Sequence, residues 1–204
     1  MEQLDFTDLE RAIRDGILAR HRGLGDLGAN DDWPLQTIYD SHLPIAEDEQ
    51  ESLRREDVCR AITVAAVAAR CLAPAAAAIE MANAWSTGNS PERLVSADDW
   101  LQAFNAVGYI ADADSPPDAP VSPKRLWRGA TTERRFGLAW TERSEVAQSF
   151  ADDLIDREAG GLVFWALVRP SRVKARFNAR EEHEWIVDTR GLDVDLYTGP
   201  DPDE

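Results

Sequence analysis

Hydrophobic positions in the first half of the chain recur at helical spacing. In "LDFTDLERAIRDGILARHRGL", residues 4–24, Leu4, Leu9, Ile13, Ile17 and Leu18 form a stripe with charges between them, which predicts an amphipathic helix ending near Gly23 or Gly25. Residues 25 to about 51 mix Gly, Asp, Pro and acids and read as loop or short turns. A helical stretch follows from about Glu51 to Trp85, broken before Pro74, because proline has no N–H and clashes with the preceding turn. "SADDWLQAFNAVGYI" reads as another helix: Ser96 is the predicted N-cap, Asp98 and Asp99 fall in the first turn, and Gly108 marks the end.

The period changes beyond a Pro- and Asp-rich segment, "ADADSPPDAPVSPK". Short runs of β-formers follow: "RLWRGA", "FGLAWT", "GLVFWALVRP", "VKARF", "EWIVDT" and "LDVDLYT". One helix interrupts them, "ERSEVAQSFADDLI", with Thr141 as predicted N-cap and Glu142 and Glu145 in its first turn. The expected class is α+β. It comprises a helical N-terminal region over residues 1–110, a linker over 111–124, an α+β core over 125–198 and a tail over 199–204.

Composition narrows the function classes. At 204 residues and 44% hydrophobic content the chain can bury a sizeable core. The acidic start, "MEQLDFTDLE", lacks the basic and then apolar pattern of an export signal, and the alanine-rich stretch near residue 70 is interrupted by Arg70, Pro74 and Glu80. A cytoplasmic protein with no membrane partner is expected. Cys59 and Cys71, twelve apart on one predicted helix, would lie roughly 18 Å apart, too far for a disulfide, and make no metal-ligand spacing with the three histidines. The net charge of −16 is concentrated in residues 1–120, with 22 acids against 9 arginines. That field disfavours direct nucleic-acid binding and suits a basic partner or a solvated surface. No dinucleotide fingerprint, phosphate loop or His-Cys cluster is present.

Chemistry gathers in "NAREEHEWIVDT", where acids stand at the entrance to an apolar strand. On an extended chain Glu182 and Glu184 would share one face about 6.5–7 Å apart while Trp185 and Val187 face the core. An acid-capped strand end with no catalytic role has the same pattern. Likewise Arg128 in "LWRG" suits a phosphate or a surface acid, Thr141 suits a helix cap, and Trp127 and Trp165 suit the core.

Taken together, Arg128 on the first strand, "GLAWTERSEVAQSFA" running from strand into helix, and the Glu-x-Glu of "EEHEWIVD" occur in an order that resembles the arginine–serine–glutamate class of mono-ADP-ribosyltransferases. The resemblance covers roughly residues 124–198. It implies a split β-sandwich that binds NAD, as substrate, in a central cleft. It implies catalytic roles for Glu184, which would stabilise an oxocarbenium-like transition state, for Glu182, which would orient or deprotonate the nucleophile, and for Arg128. Arg128, Gly129, Ala139, Trp140 and Thr141 would contact NAD, with Trp140 or Phe136 stacking on nicotinamide, and residues 178–183, with Arg180 and His183, would meet the acceptor. Two neighbouring acids are also expected to raise the pKa of one. The family's serine–threonine–serine segment falls on Ala139, Trp140 and Thr141, so alanine stands at the first serine.

The expected activity is thus transfer of ADP-ribose from NAD to a side chain of a target protein, with arginine as acceptor by resemblance, and no metal. NAD hydrolysis with water as acceptor is a close variant. A different class is a non-catalytic acidic protein with a degenerate NAD cleft that mimics nucleic acid or docks a basic partner. The sequence leaves open a partner that neutralises the activity, as an antitoxin would.

Overall fold

The protein is described from a computed structural model, which covers residues 49–68, 70, 72–87, 91–93, 95–112, 115, 117–156, 160–178 and 182–199. The predicted helix over residues 4–24, the loop that follows it as far as residue 48, Cys71, Arg180 and the last five residues of the tail lie outside the described residues; residues 49–51, expected at the loop's end, are already helical. Contacts divide the chain into two compact units, with the boundary between Gly108 and Tyr109.

The described part of the first unit is helical: α1 (Glu49–Ala68), α2 (Pro74–Ser86) and α3 (Ala97–Val107). Pro74 opens α2 at a position whose N–H no helix needs, so the expected break falls where proline is tolerated. Ser96 caps α3 by accepting a hydrogen bond from the Asp99 N–H at 3.2 Å, and Gly108, at φ 93°, ends it. Every residue from Ala61 to Val67 is buried, and α1 packs on both α2 and α3. Trp85 meets Trp100 edge-on at 4.9 Å, and Phe104 lies 5.8 Å from both rings. Arg60, 5% exposed, donates from Nε to the Ala84 carbonyl at 2.9 Å and from Nη2 to Thr87 O, so its charge satisfies carbonyls that the end of α2 leaves unpaired.

The second unit is a seven-stranded mixed sheet with one helix among its described residues. The strands are β1 (Ile110–Ala111), β2 (Lys124–Ala130), β3 (Ala139–Thr141), β4 (Leu162–Val168), β5 (Val173–Phe177), β6 (Glu184–Val187) and β7 (Asp195–Leu196). Helix α4 spans Ser144–Asp156. The strand order is β1-β5-β6-β3-β2-β4-β7; β1 runs parallel to β5 and the other pairs are antiparallel. The architecture is α+β.

Alternation along the strands sends side chains to two cores. On one face Leu126, Trp140, Ala166, Val168, Val173, Trp185 and Val187 pack together, with Tyr109, Leu192 and Val194 against them. On the other, Trp127 and Val163 pack against Ala147 and Ala151 of α4. The helix lies so close to β2 that a Cβ on Gly129 would sit 2.1 Å from the Ala147 carbonyl oxygen and 2.7 Å from the Ala151 nitrogen. Gly161, before β4, meets the Ala151 carbonyl in the same way.

Three local expectations change. The segment "FGLAWT" is extended only over its last three residues, because Thr132–Arg134 form a 3-10 turn and the chain turns again through Gly137. "LDVDLYT" is a strand only at Asp195 and Leu196, with the Tyr197 N–H adding a bond to the Val163 carbonyl at 2.9 Å. Thr141 belongs to β3 rather than capping α4, which begins three residues later, with the Arg143 carbonyl accepting from Val146 and Ala147.

Candidate functional site

The sheet is weakest between β2 and β3. β2 pairs with β4 at seven positions but with β3 at one, Trp127 opposite Thr141, whereas β3 continues onto β6 over all three of its residues. The seam between β1-β5-β6-β3 and β2-β4-β7 is thus a single registered pair within one continuous sheet. Arg128, next to that single pair, crosses it: its Nη1 donates to the Ala139 carbonyl at 2.5 Å and its Nε to the Arg134 carbonyl at 3.1 Å. The turn that carries Arg134 exists because Arg134 N–H bonds Thr131 O and Gly137 N–H bonds Arg134 O. A guanidinium has donors enough in a fixed fork to hold two carbonyls at once.

At Thr141 the seam meets β6. Thr141 lies opposite Glu184 in register, is 6% exposed, and donates its hydroxyl to the Glu182 carbonyl at 2.7 Å while accepting from the Arg143 N–H at 3.2 Å. Between the two glutamates His183 has φ 48°, a left-handed backbone that costs a non-glycine residue about 1 kcal/mol. That residue breaks the extended chain. β6 starts at Glu184, so the strand rule does not set Glu182 and Glu184 on one face as expected from the sequence. Alternation assigns Glu184 to the face of Trp127 and Thr141, and Arg128 to the face of Trp140 and Trp185.

A polar cluster borders this turn. Glu142 Oε1 receives Arg176 Nη2 at 2.6 Å and stands 3.3 Å from His183 Nδ1. Arg176, on β5 opposite Trp185, lays its guanidinium over that indole at 4.7 Å from the ring centre. Nearby, Glu145 is held below the usual carboxylate range by its own backbone N–H and then by Arg143, whose Nε lies 2.7 Å away. On the edge of the same sheet, burial pushes the Tyr109 hydroxyl up, offset by the charge of Arg176.

Other residues anticipated from the sequence take structural positions. Trp140 is buried at 2% exposure and its indole N–H donates to Gly137 O at 2.8 Å, so core packing and a backbone carbonyl account for it. Gly129 makes its close approach to α4. Ala139 lies opposite Ile186 at the lip of the seam, with its carbonyl on Arg128. Phe136 is exposed beneath the Arg135 guanidinium. Trp127 is buried and Trp165 half-buried. No group of three or more metal-ligating side chains occurs among the described residues. No helix among them is long and apolar enough to cross a membrane.

Sequence reasoning missed Glu142 and Arg176. Glu142 reads as an acid in a helix first turn, and Arg176 alternates with Val173, Ala175 and Phe177 as a solvent-facing residue would. Only the register of β3, β6 and β5 brings them together. No protein-family model, curated protein or solved structure matches the chain.

Proposed function

We propose that the second unit is an NAD-dependent mono-ADP-ribosyltransferase of the arginine–serine–glutamate type, which cleaves the bond between nicotinamide and ribose and transfers ADP-ribose to an arginine of a target protein. The observation that carries the reading is the seam. Segments that the resemblance names separately, around Arg128, Thr141 and Glu184, are neighbours on three adjacent strands of one sheet, and β2 joins β3 at the single registered pair Trp127–Thr141. So narrow a join at that place supports the reading, because the resemblance implies a sheet split around a central cleft there. Because Arg128 and Glu184 belong to opposite faces, the ligand meets Glu184, and Arg128 acts from the other face through the β3 backbone that it holds.

In this reading Glu184 supplies the negative charge that stabilises the oxocarbenium-like ribose as nicotinamide leaves. Thr141 holds the backbone that leads into Glu184 through the Glu182 carbonyl. Glu182 faces the acceptor, where a carboxylate matches the geometry of a guanidinium nucleophile. Arg128 keeps the two lips of the seam together through Arg134 and Ala139. The test is release of nicotinamide from NAD by the full chain, compared with Glu184→Gln, with labelled protein distinguishing transfer from hydrolysis.

A second reading is favoured by two observations of the sequence: the net charge of −13 over residues 1–120, and alanine at position 139 where the resembling family has serine. It makes the chain a non-catalytic binder of a basic partner. Salt-sensitive binding to a basic protein, with no stabilisation by NAD, would favour it.

A further inference from the structure

We propose that Glu142 is a positioning residue, which with His183 and Arg176 fixes the turn that presents Glu182 and Glu184. The inference rests on the NAD-cleaving reading for its catalytic consequence, though not for the geometry. Thr141 and Glu142, adjacent at the end of β3, meet the turn at two points, the first by a hydrogen bond and the second as a carboxylate beside His183 Nδ1, which makes no hydrogen bond. The Thr141 hydroxyl holds the Glu182 carbonyl at 2.7 Å, and the Glu142 carboxylate stands 3.3 Å from the His183 imidazole. The same carboxylate oxygen is anchored on β5 by Arg176 at 2.6 Å, and Arg176 is braced by the face of Trp185, the residue after Glu184.

The turn needs such a hold. His183 is in a left-handed conformation that a non-glycine residue keeps only when its surroundings enforce it. The cluster is partly shielded, with side-chain exposures of 16% for Arg176 and 30% for both Glu142 and His183, so solvent screens the contacts less than on an open surface. The charged groups facing the imidazole are Glu142, Arg176 beyond it, and Glu145 with its partner Arg143. Removing the Glu142 carboxylate leaves the turn tied by the Thr141 hydroxyl, and the direction in which β6 begins is then less defined. A small misplacement of a reacting group is costly, on the order of a hundred-fold for 1 Å.

The experiment uses the full chain and two readouts: amide hydrogen exchange at residues 182–185, and steady-state nicotinamide release. Glu142→Ala is expected to speed exchange roughly ten-fold and to lower kcat roughly ten- to a hundred-fold while KM for NAD stays within about two-fold. Glu142→Gln, which keeps an oxygen for Arg176, recovers part of both. Should Glu142→Ala fail to fold, His183→Asn removes the imidazole contact and keeps a residue tolerant of the left-handed backbone, with the same expected direction. Unchanged exchange in these variants overturns the clamp whatever happens to NAD. Faster exchange with parental kcat overturns the positioning role. If the parent releases no nicotinamide while exchange responds, the NAD reading falls and the positioning role falls with it, leaving a structural clamp.

Discussion

Replacing Gly129 with alanine tests whether that glycine serves the helix or a ligand. The added Cβ would sit 2.1 Å from the Ala147 carbonyl oxygen, where ordinary contact begins near 3.4 Å, so α4 would have to retreat by about 1.3 Å. β2 cannot yield instead, since seven register positions tie it to β4. The nearest atoms, Ala147 O and Ala151 N, are backbone, so no rotamer change relieves the overlap. Overpacking of this kind costs about 1–3 kcal/mol, with the upper end appropriate for a backbone collision. Reduced freedom of the unfolded chain returns about 0.4–1 kcal/mol. The net loss is about 2 kcal/mol, which for a unit of this size lowers Tm by roughly 8–16 °C. Thermal and urea melts followed by tryptophan fluorescence read it directly, with Gly199→Ala, which meets nothing within 4 Å, as the control. A Gly129→Ala protein that melts with the parent would refute the packing argument and return Gly129 to a ligand-binding role.

Three further outcomes follow from the same geometry. Thr141→Val, close in shape but without the hydroxyl, should lose about 1–2 kcal/mol in denaturant unfolding and should slow nicotinamide release, because a buried donor and acceptor pair disappears. Arg172→Ala should cost about 1–3 kcal/mol, since Arg172 donates to the Asp188, Arg190 and Gly191 carbonyls at 3.0, 2.7 and 3.3 Å and ties down the chain that leaves β6; an unchanged urea midpoint would contradict it. Asp188 is held below the usual carboxylate range by hydrogen bonds from Arg190, so its contribution is present above the unfolded-state value and is lost as pH falls through the folded one. Asp188→Asn should therefore flatten the acid limb of a stability–pH curve below about pH 4, by less than about 1 kcal/mol because Arg190 is 58% exposed.

Elements that announce themselves locally were legible in the sequence. Pro74, Ser96 and Gly108 mark helix boundaries through their own backbone chemistry, and "RLWRGA", "VKARF" and the helix after Thr141 carry a period that one window reveals. Features that depend on pairing across the sheet were not. β1 is two residues long and exists because Ile110 and Ala111 lie beside Ala175 and Arg176, which no local pattern encodes. His183 was expected within an extended chain and instead turns it, with the Glu182 carbonyl just before the bend held by the Thr141 hydroxyl some 40 residues away. The seam follows from Trp127 and Thr141 forming one pair where seven form on the other edge of β2. The faces on which Arg128 and Glu184 lie, and the meeting of Glu142 with Arg176, depend on strand register that no local window carries.

An NAD-cleaving site at the seam, with Glu184 as its essential charge, can be tested directly. The measurement is to incubate the purified chain with labelled NAD and a protein lysate and follow free nicotinamide and labelled protein together, beside Glu184→Gln. The account predicts nicotinamide release by the parent, a loss of about 10²–10³-fold in the variant, and labelled protein in proportion to the nicotinamide freed. Equal release by parent and variant, or none by the parent together with an unshifted melting temperature in NAD, would contradict it.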